Sequence, residues 1–365
     1  MMVKSVLSGL SLEELKALFS PLPPFRAKQV YRWITRRTRS FFDMTDLPRD
    51  LQEELDFRFM LYSSQVSSRL ADPDGTVKLR ITLRDGVKIE GVLLVDGGGR
   101  RTACLSTQAG CPMACAFCKT GALGFLRNLD SGEIIEQFFH IQTAGAEPER
   151  DPVGGPEIAN IVIMGMGEPL LNLRELRRAL GILTDPEGLG FSKRRITVST
   201  SGIIPGILDL ADHGPKVRLA VSLTTADEDL RKRLMPVTVT HPLPRLKEAL
   251  LYYQQKTGCR VTLEVVLLEG INTRRRDMDA LADFAEGLDV VVNLIPWNPV
   301  EGLEFEGRPL GRPTAREIEE FSEGMTSRRL GVTRRRGKGL GVSGACGQLG
   351  ESFREESVCS GSAVI

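Results

Sequence analysis

A chain of 365 residues with 41% hydrophobic and 26% charged side chains can bury a large core, and its 37 glycines and 20 prolines follow no period, which excludes collagen-like or wholly disordered chains. Lys and Arg total 48 against 47 Asp and Glu, so the formal charge of +1 gives no whole-molecule attraction to nucleic acid and any basic surface has to be local. No apolar run reaches the roughly eighteen residues of a membrane span, and the N-terminus turns into the acidic, helix-like SLEELK before a signal-peptide core develops, so a cytoplasmic location is expected.

In chain order, Ser11 and Glu14 form a capping box for a first helix, with Leu12, Leu15, Leu18 and Phe19 at helical spacing. After a turn at Pro21 to Pro24, Ala27, Val30, Tyr31 and Ile34 line one face of a second helix whose other face carries Arg26, Lys28, Arg32, Arg36 and Arg37. Leu47, Leu51 and Leu55 mark a third helix. The basic face beside Trp33 reads equally well as an RNA contact or as packing on the core. Strands follow this helical module. From Thr102 the texture changes to short β-branched runs at 102–107, 158–164, 195–200, 217–223, 261–268 and 290–296, separated by helical stretches. That alternation predicts an α/β fold of βαβ units with a parallel sheet, either an open barrel or a doubly wound sheet, with the chemistry on loops at the strand C-termini. Residues 145–157 read as a loop insertion, and the tail from Glu351 as a frayed end. Further basic clusters stand at 193–195, 274–276, 328–329 and 334–338.

Seven cysteines, four of them between Cys104 and Cys118, make a poor disulfide framework and favour metal or redox chemistry. Cys111, Cys115 and Cys118 form a C-x3-C-x2-C set directly after the first strand of the parallel region. Three thiolates on one tight loop can hold three irons of a cubane cluster and leave the fourth iron open to a substrate, as a catalytic zinc keeps one vacant position. A structural zinc site would need a fourth ligand, for which His140 is the nearest candidate. MGMGEPLLN, Met164 to Asn172, supplies a glycine pair at a strand end, and Glu168 can accept a hydrogen bond from an ammonium group.

The cysteine loop with its Phe117 resembles the radical S-adenosylmethionine superfamily, and the MGMGEPLLN turn resembles that superfamily's site for the methionine amino group. The resemblance implies a partial (βα)6 TIM-like barrel, a 4Fe-4S cluster on Cys111, Cys115 and Cys118, and S-adenosylmethionine bound to its open iron. CKTGALGFLRNL, MGMGEPLLN, LIPWNP and ACGQL, taken with Cys104 and Cys346, resemble the RlmN-type adenine methyltransferases of 23S rRNA and tRNA over nearly the whole chain. This family resemblance implies S-adenosylmethionine contacts at Gly167, Glu168, Ser199, Ser222, Leu223, Thr224 and Asn298.

The same resemblance implies a reaction. Cys346 takes a methyl group from one S-adenosylmethionine and a radical from a second removes hydrogen from it. The resulting methylene adds to adenine C2, and Cys104 resolves the protein–RNA thioether, leaving a Cys104–Cys346 disulfide. Glu90 matches the family's proton acceptor. One cluster per chain, two S-adenosylmethionine molecules per turnover, a flavodoxin or ferredoxin-type electron donor and a monomer are implied. The expected division is an N-terminal helical, RNA-binding accessory domain over 1–90, a methyltransferase core over 91–350, and a flexible tail over 351–365. Two departures stand out: Thr224 where relatives carry His, and GKGLGVS, Gly337 to Ser343, where relatives carry an acidic segment. Cys259, Cys359, His140, His213 and His241 receive no role. Methylation at adenine C8, a radical enzyme acting on a non-RNA substrate, and a non-enzymatic iron-sulfur RNA-binding protein are the competing readings.

Overall fold

The computed structural model describes residues 4–145, 157–335 and 337–350. The N-terminal helices are α1 (Leu12–Leu18), α2 (Pro24–Thr35) and α3 (Arg49–Arg58). The Ser11–Glu14 capping box forms, and Ala27, Val30, Tyr31 and Ile34 are the buried face of α2. Much of the opposite, basic face is used inside the molecule. Lys28 and Arg32 pair with Glu187 at 2.7 and 3.2 Å, and the Tyr31 hydroxyl donates to Asp185 at 3.1 Å. Gly188 has to be glycine here, because a Cβ would lie 2.8 Å from the Tyr31 ring. Arg36 and Arg39 remain exposed.

Ten strands form one sheet whose spatial order follows the chain from edge to edge. β1 (Gln65–Ala71), β2 (Val77–Thr82) and β3 (Lys88–Val95) make an antiparallel ladder that continues antiparallel onto β4 (Arg101–Cys104). From β4 on, every pairing is parallel, through β5 (Asn160–Ile163), β6 (Ile196–Thr200), β7 (Arg218–Ser222), β8 (Val261–Leu267), β9 (Val290–Pro296) and β10 (Gly331–Arg334). Parallel neighbours require crossovers. These carry α4 (Ser131–Ala144), α5 (Leu173–Thr184), α6 (Ile204–His213), α7 (Glu228–Leu234), α8 (Leu243–Thr257), α9 (Arg275–Ala285) and α10 (Ala315–Ser327).

The six β-branched runs are thus β4 to β9, in the α/β architecture expected. β10 escaped sequence reading because it is a short edge strand, mostly exposed, with no apolar alternation. Residue 90 lies inside β3, and one hydrophobic core runs from Leu7 and Leu15 through the sheet to Leu349. The tail from 351, most of the 145–157 insertion, and Cys359 lie outside the described residues.

The helical module is stitched to the core by Glu136 of α4, 1% exposed, which accepts hydrogen bonds from Ser8 Oγ at 2.7 Å and from the Ser63 and Ser64 amides at 3.0 and 2.7 Å. His140 belongs to the same seam, 3.0 Å from Ser64 Oγ, and lies outside the lining of the cysteine cavity. Among the described residues no helix is long and apolar enough to cross a membrane.

Candidate active site

The chain leaves β4 into a loop closed by a two-stranded ribbon, Gln108–Gly110 against Phe125–Asn128, and the three cysteines sit between its arms. The Cys111 amide donates to Gly124 O at 2.8 Å and the Ala116 amide to Leu234 O at 2.9 Å, which ties the loop to itself and to α7. Cys111, Cys115 and Cys118 line one cavity together with Phe117, Gly167, Glu168, Ser199 and Asn298. Burial pushes Cys111 up to about 12, and burial, with the neighbouring thiols as a further cause, pushes Cys115 up as well. Among the described residues no three His, Cys, Asp or Glu side chains converge as they would on one ion. Buried thiols give up their protons when a strongly positive group binds them, and three of them on one short loop fit an iron-sulfur group that keeps one position open.

The glycines of MGMGEP line the cysteine cavity and carry a second constraint besides. A Cβ at Gly165 would lie 2.5 Å from Ser106 Oγ, and one at Gly167, where φ is +103°, would lie 2.5 Å from Gln108 Cβ. The turn therefore presses on the segment that enters the cysteine loop, and only glycine permits the approach. Glu168, 3% exposed, accepts from the Ser201 amide at 2.7 Å, Ser201 Oγ at 2.8 Å and the Leu170 amide at 3.1 Å. The Thr200 hydroxyl is a further donor beside it, and burial pushes its pKa above the usual carboxylate range. Ser199 and Ser222 also line the cavity, as does Asn298, but Leu223 and Thr224 lie behind its wall. Thr224 holds a left-handed φ of +61°, a strained conformation for a β-branched side chain.

Cys104, at the end of β4, and Cys346 face a second, smaller cavity that shares Met164, Asn298, Arg335 and Leu349 with the first. Both are free thiols. The Cys346 loop is held from several sides: Asn298 Nδ2 donates to Cys346 O at 3.0 Å, the Lys119 amide to Gly347 O at 2.9 Å, and Thr120 Oγ1 to Leu349 O at 2.6 Å. The Gly350 amide donates to Glu90 Oε2 at 2.8 Å. Glu90 itself lines neither cavity. It is 3% exposed and sits one residue behind the wall, since its donor Gly350 follows Leu349, which lines both.

Sequence reading missed Arg231, the largest fully buried side chain. It donates to Leu223 O at 3.0 Å, Thr238 Oγ1 at 2.7 Å, Ser201 O at 2.7 Å and Ser222 O at 3.1 Å, binding the ends of β6 and β7 behind the cavity. Burial holds its pKa down to about 10, against the opposing influence of Cys115. In EDLRKRL it resembles the solvated Lys232 and Arg233, and the faint signal is that it shares the helix face of Leu230 and Leu234. Arg335 was read as part of a surface cluster, yet it lines both cavities, where Cys346 and then Glu264 and Cys104 favour its charge.

A three-cysteine loop after the first parallel strand of an open α/β sheet, with a GEP turn facing it, defines a radical SAM protein. Consistently, a family model of the radical SAM superfamily matches residues 105–285 and one of the ribosomal RNA large subunit methyltransferase N-terminal domain matches residues 6–61. A protein named probable dual-specificity RNA methyltransferase RlmN from Treponema pallidum (strain Nichols) is 47% identical over 346 residues, 95% of this chain and 97% of that protein. Another of that name from Treponema denticola is 47% identical over 349 residues, 96% of each chain. The crystal structure of a radical SAM methyltransferase from Sphaerobacter thermophilus superposes with a TM-score of 0.87 at 38% identity, covering 94% of this chain and 99% of that one. The chain belongs to the RlmN family of radical SAM methyltransferases.

Arg231→Met would strand four acceptors beside the cysteine loop. The expected result is a protein less stable by about 3 kcal/mol or more, with less iron retained per chain after anaerobic reconstitution. Thermal unfolding and iron analysis check this; unchanged values for both contradict it.

Proposed function

We propose that this protein methylates C2 of adenine in 23S rRNA and in tRNA by way of an S-methylated Cys346. The supporting observation is that Cys104 and Cys346 share one cavity, which opens onto the cavity of the three cluster cysteines. Neither a non-enzymatic iron-sulfur protein nor a radical enzyme for a small molecule needs such a thiol pair there.

Cys111, Cys115 and Cys118 would hold one 4Fe-4S cluster, and Glu168, Ser199, Ser222 and Asn298 would contact S-adenosylmethionine. When bound, the cluster and two molecules of S-adenosylmethionine per turnover supply a methyl group and a 5′-deoxyadenosyl radical, given an electron from a flavodoxin or ferredoxin-type donor. Cys346 contributes the first bond: its thiolate displaces the sulfonium at the methyl carbon. After loss of one hydrogen, the methylene on the Cys346 sulfur would bond to C2 of adenine, and the unpaired electron of the adduct would return to the oxidised cluster. Glu90 takes the C2 proton. Cys104 then attacks the Cys346 sulfur, the S–CH2 bond breaks, the released carbon is protonated to a methyl group, and both thiols end as a disulfide. Asn298, through its bond to the Cys346 carbonyl, holds the loop in register. The protein would act as a cytoplasmic monomer.

The target base must leave its stack and enter where the strands end. Topology separates the basic clusters accordingly. Lys193 to Arg195 precede β6 and Arg328 and Arg329 precede β10, at the end of the sheet away from the cavity. Arg275 and Arg276, exposed beyond the C-terminal end of β8, lie on the cavity side. We assign those two to RNA phosphates; Arg39 lies beside Thr143 and Ala144, at the C-terminal end of α4 and so at the far end of the sheet.

Two outcomes test this reading. Cys346→Ala should yield no methylated nucleoside, whereas Cys104→Ala should accumulate protein covalently bound to RNA, with 2-methyladenosine identified by nucleoside mass analysis in the wild type. Burial pushes Cys104 up to about 12, so the thiol is protonated at neutral pH and wild-type release of the adduct should quicken by up to about tenfold per pH unit. Methylated RNA released at the normal rate by Cys104→Ala, or 8-methyladenosine as product, would contradict it. Separately, Arg275→Ala with Arg276→Ala should weaken RNA binding and lower the salt slope by about two. Lys193→Ala with Arg194→Ala should leave both unchanged, and equal effects would refute the assignment.

A further inference from the structure

A lysine buried in a strand is costly and needs a reason. Lys78 of β2 is 3% exposed, and its ammonium lies 3.2 Å from Glu90 Oε1. A buried ion pair is poor evidence for stability, because an apolar residue of similar volume serves a core as well or better. The neighbouring residues of β2, Val77, Leu79 and Ile81, are apolar and fully packed.

The two oxygens of Glu90 are treated differently. Oε2 accepts the Gly350 amide at 2.8 Å. Oε1 is buried and forms no hydrogen bond of good geometry, although Lys78 stands within ion-pair distance. Oε1 is thus enclosed with Lys78 as its neighbour and without an amide or hydroxyl donor upon it, which leaves room on it for a proton. The register of the sheet puts it on the right face: Val92 lies opposite Cys104, and Glu90, two residues from Val92, points the same way. Arg80, the ladder partner of Glu90, and Lys88 share this face, and Cys104 is the titratable group that β4 presents to it.

The two partners also differ in permanence. Gly350 belongs to the loop that carries Cys346, whereas Lys78 is anchored in the middle of the antiparallel ladder. An adenine entering between Cys346 and Glu90 displaces the Gly350 amide, leaving Lys78 as the partner that stays. We propose that Lys78 is a positioning residue for the proton acceptor: it fixes the Glu90 carboxylate in place and in its charged form when the end of the thiol loop gives way to the base. The C2 proton passes to Glu90, the C–H electron pair stays in the ring, and Lys78 keeps its own proton. This rests on the reading of Glu90 as the C2 proton acceptor.

The test is single-turnover reaction of the cluster-loaded protein with 23S rRNA fragments across neutral and mildly alkaline pH. It measures S-methylcysteine at position 346 and RNA held covalently on the protein. Glu90→Gln should release its adduct about a hundredfold more slowly than wild type at every pH. Lys78→Met should hold adduct about tenfold longer at neutral pH, and this ratio to wild type should shrink as pH rises, because an unpaired buried carboxylate ionises only at higher pH. Lys78→Arg should stay close to wild type, and S-methylcysteine should form normally in all three. A Lys78→Met protein that matches wild type, or whose defect is independent of pH, overturns the proposal. Absence of adduct in Glu90→Gln removes the Glu90 reading itself, and the Lys78 proposal with it. Should Lys78→Met not fold, the double variant Lys78→Met with Glu90→Gln, which leaves no buried charge unpaired, must match Glu90→Gln in every step. Any added defect shows that Lys78 acts elsewhere.

Discussion

The reactive sulfur of Cys346 is placed by bonds that never touch it. Four hydrogen bonds hold the loop around it, from Asn298, the Lys119 amide and Thr120 to the carbonyls of residues 346, 347 and 349, and from the Gly350 amide to Glu90. All of them engage the backbone. The backbone on both sides of the thiol is pinned beside the cysteine loop, while none of these bonds engages the sulfur, which the proposed chemistry needs for three successive bonds. Main-chain contacts also bind the loop to three separate parts of the fold: the cysteine loop, the segment after β9 and the strand β3. The three-cysteine loop and the Cys346 loop are therefore one mechanical unit.

The unusual GKGLGVS segment fits this picture. Its acidic partners stand on the other side of the contact. Asp72 and Asp74, in the turn between β1 and β2, accept the Gly341 and Gly339 amides at 2.8 and 2.9 Å. Gly339 approaches so closely that a Cβ would lie 2.6 Å from Thr76 Cγ2. Lys338 adds a long ion pair to Asp74 at 3.9 Å. The loop thus presents backbone amides to carboxylates of the hairpin, and at Gly339 it needs glycine to do so. The antiparallel ladder β1 to β3 gains a function from this: it holds both the root of the Cys346 loop, at Asp72 and Asp74, and its end, at Glu90.

Much of the site was legible in the sequence because its signals are local. Cys111, Cys115 and Cys118 announce themselves by spacing, Ser11 and Glu14 by a capping box, and β4 to β9 by β-branched runs, since each reflects chemistry within a few residues. What stayed hidden depends on tertiary approach. Arg231 and Lys78 look like any surface cation until the strands around them are assembled. Gly165 and Gly167 read as a ligand cradle and do line the cavity, but that Ser106 and Gln108 also lie against them shows only in three dimensions. The basic clusters at 193–195 and 275–276 have similar composition and lie at opposite ends of the sheet, a distinction that strand direction alone makes. Leu223 and Thr224 are buried outside the cavity lining, which their place directly after the cavity-lining Ser222 does not betray.

The central claim is that Cys104 and Cys346 form a working pair at the mouth of the cluster cavity. Peptide mapping without reducing agent, after a single turnover on RNA, tests it most directly. A Cys104–Cys346 disulfide, formed in proportion to methylated base and absent when RNA is omitted, is the result the account requires. Methylated base accumulating while both sulfurs remain free thiols, or while Cys346 is joined to one of the three cluster cysteines instead, would contradict it.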